Sequence, residues 1–174
     1  MSKIVFDAEK FKKYAMQLAL EVMKDVAFDI RDDIRQSMVN SPEWPEKTYY
    51  RQGRKHHPSQ PGNPPRVDYG ILHDSMSINW HGSGMTHGEV GSRAKSSDGV
   101  KEPGSEGMVV IGTNAPSKSK KGYLLWELLE TGTKRMRARP FLIAPLQKYK
   151  KIIEKHLKIM SSKQFLIKLA KNFK

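Results

Sequence analysis

The sequence contains no cysteine, so disulfide bonds, thiolate catalysis and thiolate-bound metals are all excluded. No apolar run approaches the ~20 residues that a membrane-spanning helix needs. The first residues, MSKIVFDAEKFKKYAM, lack the continuous apolar stretch of a signal peptide. We therefore expect a soluble intracellular protein that has no membrane partner.

Recognisable catalytic motifs are also missing. There is no phosphate-binding loop, no nucleophile elbow and no dinucleotide fingerprint. The adjacent pair His56 and His57 is the nearest approach to a metal site, but adjacent residues in a proline-rich loop rarely chelate together. Glu127 and Glu130 lie three residues apart on a predicted helix, where such a pair is more often a surface feature or an arginine partner. We predict no enzyme activity, no metal and no cofactor; a nuclease is the remaining enzymatic alternative.

Positive charge is what the chain has in excess, with 31 Lys and Arg against 18 Asp and Glu. Residues 1–40 hold 7 basic and 7 acidic side chains, and residues 41–133 hold 11 and 10. Residues 134–174 hold 13 and 1, so they carry +12 of the total charge of +13. This distribution indicates a basic C-terminal region that meets a polyanion or an acidic protein surface.

Apolar residues predict a long N-terminal helix, because they recur at every third or fourth position from Phe11 to Met38. Asp7 is the expected N-cap, and Asn40-Ser41-Pro42 is the expected end. Residues 41–66 contain six prolines, which predict an exposed, flexible loop without helix or central strand. A second flexible loop is expected at 81–107, with at most a short strand at 89–92.

The remaining elements are a helical turn at 70–75, strands at 76–80 and 108–113, and a short helix at 123–129. Arg139-Pro140-Phe141 is expected to open the last helix, with proline in its first turn. In that helix we expect a buried stripe of Leu142, Leu146, Tyr149, Ile153, Leu157 and Met160. The opposite side carries a lysine stripe, defined as Lys148, Lys151, Lys155 and Lys158.

These elements predict an α+β fold. It comprises a long N-terminal helix, a small antiparallel β-sheet with long loops, a short helix and an amphipathic C-terminal helix. We expect one domain over residues 1–160, followed by a basic tail at 161–174. The lysine stripe has two interpretations, a solvated face or a contact surface for DNA phosphates without sequence recognition.

Three segments, taken in order, resemble the tail-component family of long-tailed bacteriophages, also called tail-completion or head-to-tail joining proteins. The first is a Pro/Gly-rich lead into a Gly-x-Leu-x-x-Ser turn, and the second is a Val-Ile-Gly-Thr strand. The third is a helix ending in Glu-x-Gly-Thr, followed by Ala-Arg-Pro-Phe. The resemblance spans roughly residues 58–157 and rests on Gly70, Leu72, Ser75, Gly112, Thr113, Tyr123, Glu127, Glu130, Gly132, Thr133, Arg139, Pro140 and Phe141.

The resemblance implies a structural protein of the head–tail junction of the virion, assembled in the host cytoplasm. Its copies would form a ring, with six as the expected number, that joins the tail to the head and surrounds the DNA channel. The implied partners are further copies of the chain, the tail terminator or tail tube, the head-connector proteins and the packaged DNA. The lysine stripe would face that DNA or an acidic partner. The alternative function is a small nucleic-acid-binding protein without sequence specificity.

Four expectations about the third segment come from the residues themselves. Gly132 suits a left-handed helix end, and Thr133 suits a turn closed by its side chain. Arg139 is expected to pair with Glu127 or Glu130 and so to connect the short helix to the last one. Phe141 is expected in the core.

Overall fold

The computed structural model describes residues 7–82, 85–89, 91, 107–113, 125–160, 162 and 167. The predicted α+β fold is confirmed: a long N-terminal helix, two small antiparallel sheets and a C-terminal helix. No helix in these residues is long and apolar enough to cross a membrane. The elements are α1 (Ala8–Val39), β1 (Tyr49–Arg51), β2 (Arg54–His56), α2 (Ile71–Asp74), β3 (Met76–Gly82), β4 (Met85–Glu89), β5 (Val109–Thr113), α3 (Leu125–Thr131) and α4 (Ile143–Met160).

Helix α1 forms as the apolar periodicity predicts. Its N-cap is Asp7, whose carboxylate accepts the backbone N–H of Lys10 at 2.9 Å. At the other end, the N–H of Asn40 still donates to Gln36 at 2.9 Å. Most of the buried residues of α1 lie in its C-terminal half, so that half supplies one wall of the core.

The core is built where α1 meets β3 and α4. Strand β3 is the centre of a three-stranded antiparallel sheet of order β4–β3–β5. Side chains of alternate β3 residues face α1, as the Phe28 and Trp80 rings show by their 6.4 Å separation. The buried cluster consists of Val26, Ile30, Ile34, Met38, Met76, Phe141 and Tyr149.

Two loop predictions are partly wrong. A strand lies at Met85–Glu89, where it pairs with β3 in a hairpin and overlaps the predicted strand at Glu89, while residues 90 and 92 lie outside the described residues. Within the predicted loop 41–66, strands β1 and β2 form a two-stranded hairpin around Gln52 and Gly53, both of which have positive φ. The prolines flank the two strands and do not interrupt their hydrogen bonds, so proline density did not predict the hairpin, while the expectation of no helix and no central strand in this segment holds.

The last helix begins later than predicted. Helix α4 starts at Ile143, so Pro140 and Phe141 precede it, and Pro145 occupies its first turn. The start is displaced because a glutamate side chain, and not the proline, organises it. The motif residue Tyr123 and most of the tail at 161–174 lie outside the described residues.

Candidate functional site

The junction between α3 and α4, defined as residues 127–143, is organised by Glu130. This residue lies in the last turn of α3 and is buried, and its carboxylate faces the start of α4. One carboxylate oxygen, Oε2, accepts the N–H groups of Phe141 and Leu142 at 2.9 and 3.1 Å, and Oε1 accepts that of Ile143 at 3.0 Å. These are donors that a helix start leaves without partners, and the negative charge also suits the positive end of the helix dipole.

The chain turns back sharply between the two helices. Gly132 has φ +78°, as predicted, and a Cβ there would lie 2.8 Å from the backbone oxygen of Met136. Thr133 closes the turn, also as predicted, since its hydroxyl accepts the N–H groups of Arg135 and Met136 at 3.2 and 3.0 Å. The N–H of Arg139 then donates to the carbonyl of Leu129 at 2.6 Å. This close approach of two backbones requires glycine at position 132.

The predicted pair between Arg139 and Glu127 or Glu130 is wrong. The guanidinium of Arg139 donates instead to Ser59, at 3.1 Å from Nε to the hydroxyl and at 3.2 Å from one terminal nitrogen to the carbonyl. Glu130 is occupied by backbone N–H donors, and Glu127 is exposed on α3. The expected connection of α3 to α4 exists, but Glu130 makes it through the backbone. Arg139 connects the junction to the segment that follows β2.

Phe141 lies in the core, as predicted, with none of its surface exposed. It directly precedes α4 and packs in the cluster that includes Met38 and Met76. The adjoining residue Pro140 fixes the backbone angle φ just before this contact. Within the Ala-Arg-Pro-Phe box, Arg139 is therefore hydrogen-bonded to Ser59 and Phe141 is buried in the core.

The first two segments of the resemblance meet through buried hydroxyl groups. The hydroxyls of Ser75, after α2, and Thr113, at the end of β5, lie 2.6 Å apart. The same Ser75 hydroxyl donates to the carbonyl of Leu72 at 2.9 Å, and Leu72 packs against the core. Gly70 starts α2 with φ +73°, and Gly112 lies within β5, opposite Ser77. Through Ser75 and Thr113, the first two segments of the resemblance are thus joined in the protein interior.

The lysine stripe lies on α4, but its four members differ. Lys148 donates to the carboxylate of Asp33 on α1 at 2.5 Å. That hydrogen bond is the main reason why the pKa of the Asp33 carboxyl lies below its usual value, and it raises the pKa of Lys148. Burial raises the pKa of neighbouring Tyr149, and Asp33 raises it further. All four lysines are exposed, but Lys148 also connects α4 to α1 through Asp33.

The predicted buried stripe of α4 is partly wrong. Tyr149 is buried and Leu142, Ile153 and Met160 are partly buried, but Leu146 and Leu157 are 44% and 48% exposed. The buried side of the helix lies roughly 35° around its axis from the predicted stripe, at 100° per residue. The rotation follows from the contact of Tyr149 with the core and with Asp33. It leaves an exposed apolar row, defined as Ile143, Leu146 and Leu157.

An arginine pair on α1 was not predicted. Arg31 is almost fully buried and forms ion pairs with Asp32 and with Glu89 of β4. Arg35 donates to the carbonyl of Met76 at 3.1 Å, and burial lowers its pKa, with the nearby Arg31 charge adding to the effect. Both arginines fasten the sheet to α1. The sequence carried one signal for them, since Arg31 lies on the buried side of the helix, four residues after buried Ala27.

A cleft of about 500 Å³ lies beside the C-terminal end of α1. Its charged lining residues are engaged with neighbours: Arg66 pairs with Glu43, and His73 Nδ1 lies 2.7 Å from Asp74. Within the residues that the structure describes, no three His, Cys, Asp or Glu side chains form a group that could hold a metal ion.

Searches of protein families, of curated proteins and of solved structures find no match to this chain.

Proposed function

We propose that this chain is a structural subunit of the head–tail junction of a long-tailed bacteriophage, assembling as a ring around the DNA channel. The proposal rests on the resemblance of three ordered segments to the tail-component family. Its partners would be copies of itself, expected at six, together with the tail terminator or tail tube and the head-connector proteins. In this role the protein works in the virion by holding a shape, without catalysis.

The observation that carries the assembly part of the proposal is the exposed apolar row on α4. Ile143 is 53% exposed, and Leu146 and Leu157 follow it on the same side of the helix. Ile143 and Leu146 are one turn apart, whereas Leu157 lies about three turns further along, beyond the exposed Lys150. Exposed aliphatic side chains on one side of a helix favour a protein contact there. In a ring, the row would pack against a neighbouring copy, and α4 would keep its basic side for another surface.

The junction between α3 and α4 supports the same proposal. Glu130 fixes the start of α4, and Phe141, two residues before that start, is buried in the core. A helix held in this way presents its outward sides at a fixed angle to the rest of the fold. A ring subunit needs that property, because small angular errors accumulate around a closed ring. The exposed lysines Lys151, Lys155 and Lys158 would then face the channel DNA or an acidic partner.

The test is the mass of the purified protein, measured by sedimentation velocity and joined to electron microscopy of negatively stained particles. The wild-type protein should form closed rings near six times the 19.9 kDa monomer, alone or when mixed with phage tails. The double substitution Leu146→Gln with Leu157→Gln should remain monomeric, because it removes apolar surface from the contact. Val39→Gln is the matched control, since Val39 is an equally exposed aliphatic residue on α1.

Two results would contradict the proposal. The first is a wild-type protein that stays monomeric with tails present, in a lysate whose tails mature without it. The second is equal assembly of the wild-type protein and the Leu146/Leu157 variant, which would show that the apolar row does not form the contact. Equal folding of all variants is checked by their unfolding midpoints in urea.

The second candidate is a small nucleic-acid-binding protein without sequence specificity. It is favoured by the uneven charge of the chain, +12 of which lies in residues 134–174. Such a protein should bind free duplex DNA as a monomer, with affinity that falls steeply as salt rises. A ring subunit should bind DNA best in its assembled state. Measuring DNA affinity above and below the protein concentration at which rings form separates the two candidates.

A further inference from the structure

The hairpin of β1 and β2, residues 49–56, is largely exposed to solvent. Tyr49 and Tyr50 are adjacent and therefore face opposite sides of the hairpin, yet they are 57% and 76% exposed. Neither side of the hairpin tip is thus covered by the described parts of the fold. Exposed tyrosines on both sides of a β-ribbon are costly for a free surface and are typical of a contact site.

The hairpin and its flanks carry only positive charge. Residues 47–67 contain five Lys and Arg side chains and no Asp or Glu. Lys55 is exposed and lies directly across the strand pair from Tyr50. Within the described residues its side chain makes no ion pair or hydrogen bond. Arg54 is exposed as well, and its recorded contact is with the face of the Tyr69 ring, at 5.8 Å.

The base of the hairpin, in contrast, is fixed to the fold. The N–H of Trp44 donates to Pro58 at 2.8 Å, and Glu43 and Ser59 form an antiparallel bridge. His56 faces Asp68 at 3.5 Å, and Ser59 accepts the guanidinium of Arg139. A fixed base with an uncompensated basic tip indicates a projection held in position for a binding partner.

The lysine stripe on α4 is a weaker candidate for the same partner. Lys148 is already paired with Asp33, and Asp25 and Asp29 lie on the same side of α1 as Asp33. Glu154 adds a negative charge to α4 itself. Residues 47–67 contain no acidic residue, and the acidic side chains at the base of the hairpin, Asp68 and Glu43, lie against His56 and Arg66.

We propose that the β1–β2 hairpin is a contact surface for the phosphate backbone of duplex DNA. Lys47, Arg54 and Lys55 would neutralise phosphates, and the tyrosine hydroxyls would donate hydrogen bonds to phosphate oxygens. A two-stranded ribbon with strands about 4.8 Å apart fits the roughly 12 Å width of the major groove. The contact depends on phosphates, so it reads no base sequence. It stands independently of ring formation.

The experiment measures binding of the full chain to a fluorescent duplex by anisotropy, at salt concentrations from 50 to 500 mM. Log affinity should fall linearly with log salt, by about 0.9 for each neutralised phosphate. In Arg54→Gln with Lys55→Gln the slope should be shallower by about 1.8. If binding in 1 M salt is unchanged, that loss weakens binding roughly 60-fold at 0.1 M salt. Lys55→Gln alone should give half of the slope change.

The matched control is Lys12→Gln with Lys13→Gln, which removes the same charge from exposed positions near the start of α1, outside both proposed binding surfaces. Its slope should stay within error of the wild-type value. Equal losses in the two double variants, or a hairpin variant that binds as the wild type does, would overturn the proposal. So would a wild-type protein that prefers a poly-glutamate chain to duplex DNA, since that would identify an acidic protein as the partner. No ring or tail is needed, so failure here leaves the assembly proposal intact.

Discussion

The junction between α3 and α4 and the β1–β2 hairpin are linked by Arg139 and Ser59, yet their charged groups have opposite roles. At the junction, both oxygens of Glu130 accept backbone donors and the guanidinium of Arg139 donates to Ser59. In the hairpin, Lys55 extends into solvent without a partner in the described residues. Internal pairing indicates a role in stability, and unpaired exposed charge indicates a role in binding. Substitutions at the junction should therefore change stability, and substitutions in the hairpin should change binding.

The largest effect is expected for Phe141→Ala. The side chain is fully buried, so its removal leaves a cavity and should lower the free energy of unfolding by about 3–5 kcal/mol. Ile143→Ala is the control two residues later, where the side chain is largely exposed and the loss should be under about 1 kcal/mol. Urea denaturation measures both values. Similar losses in the two variants would show that the junction is not anchored in the core.

The next effect is expected for Glu130→Gln. The amide keeps one acceptor oxygen but turns a donor group toward backbone N–H donors, so we expect a loss of about 2–3 kcal/mol. Glu127→Gln is the same chemical change three residues earlier, on the exposed side of α3, and should cost under about 0.5 kcal/mol. DNA affinity should be unaffected in both variants. If the two glutamates prove equivalent, the carboxylate does not cap α4.

Arg139→Gln tests the link between the two regions directly. Arg139 is partly buried, so losing its bonds to Ser59 should lower the free energy of unfolding by about 1–2 kcal/mol. The hairpin keeps its other attachments, so the salt slope of DNA binding should not change. A changed slope with unchanged stability would contradict the division between a stabilising junction and a binding hairpin, because Arg139 would then belong to the binding surface. Both quantities are measured on the same protein preparation.

The sequence predicted the elements that depend on local periodicity. Helix α1 follows from its apolar spacing and its N-cap, and Gly132 and Phe141 follow from residue types with few alternatives. The hairpin was missed because its strands are three residues each, without apolar alternation, and form by pairing around a turn with positive φ. Composition averaged over 41–66 hides a feature of that size.

The partners of charged side chains were the least predictable part of the site. Glu130 and Arg139 were both expected to matter, but spacing alone did not show that one binds backbone and the other binds Ser59. The rotation of α4 was missed for a similar reason. It depends on the contact of Tyr149 with α1, about 115 residues earlier in the chain, which helical periodicity does not contain. Long-range contacts of this kind decide which of several exposed charges remain available for binding.

The smallest effect is expected for Lys148→Gln, which tests whether Lys148 belongs to the fold or to the binding surface. In the folded protein the hydrogen bond from Lys148 lowers the pKa of the Asp33 carboxyl below 3.8. A lowered carboxyl pKa means that the interaction stabilises the fold above pH 3.8 and that this stability is lost as pH falls through the folded-state pKa. Because Lys148 is exposed to solvent, the unfolding midpoints of the variant and the wild type should differ little at pH 7 and should converge in acid. Nuclear magnetic resonance titration of the Asp33 carboxyl carbon should show a pKa that rises toward 3.8 in the variant, whereas Lys151→Gln should leave it unchanged. An identical Asp33 titration in all three proteins would show that Lys148 does not pair with Asp33 and belongs to the basic binding surface of α4.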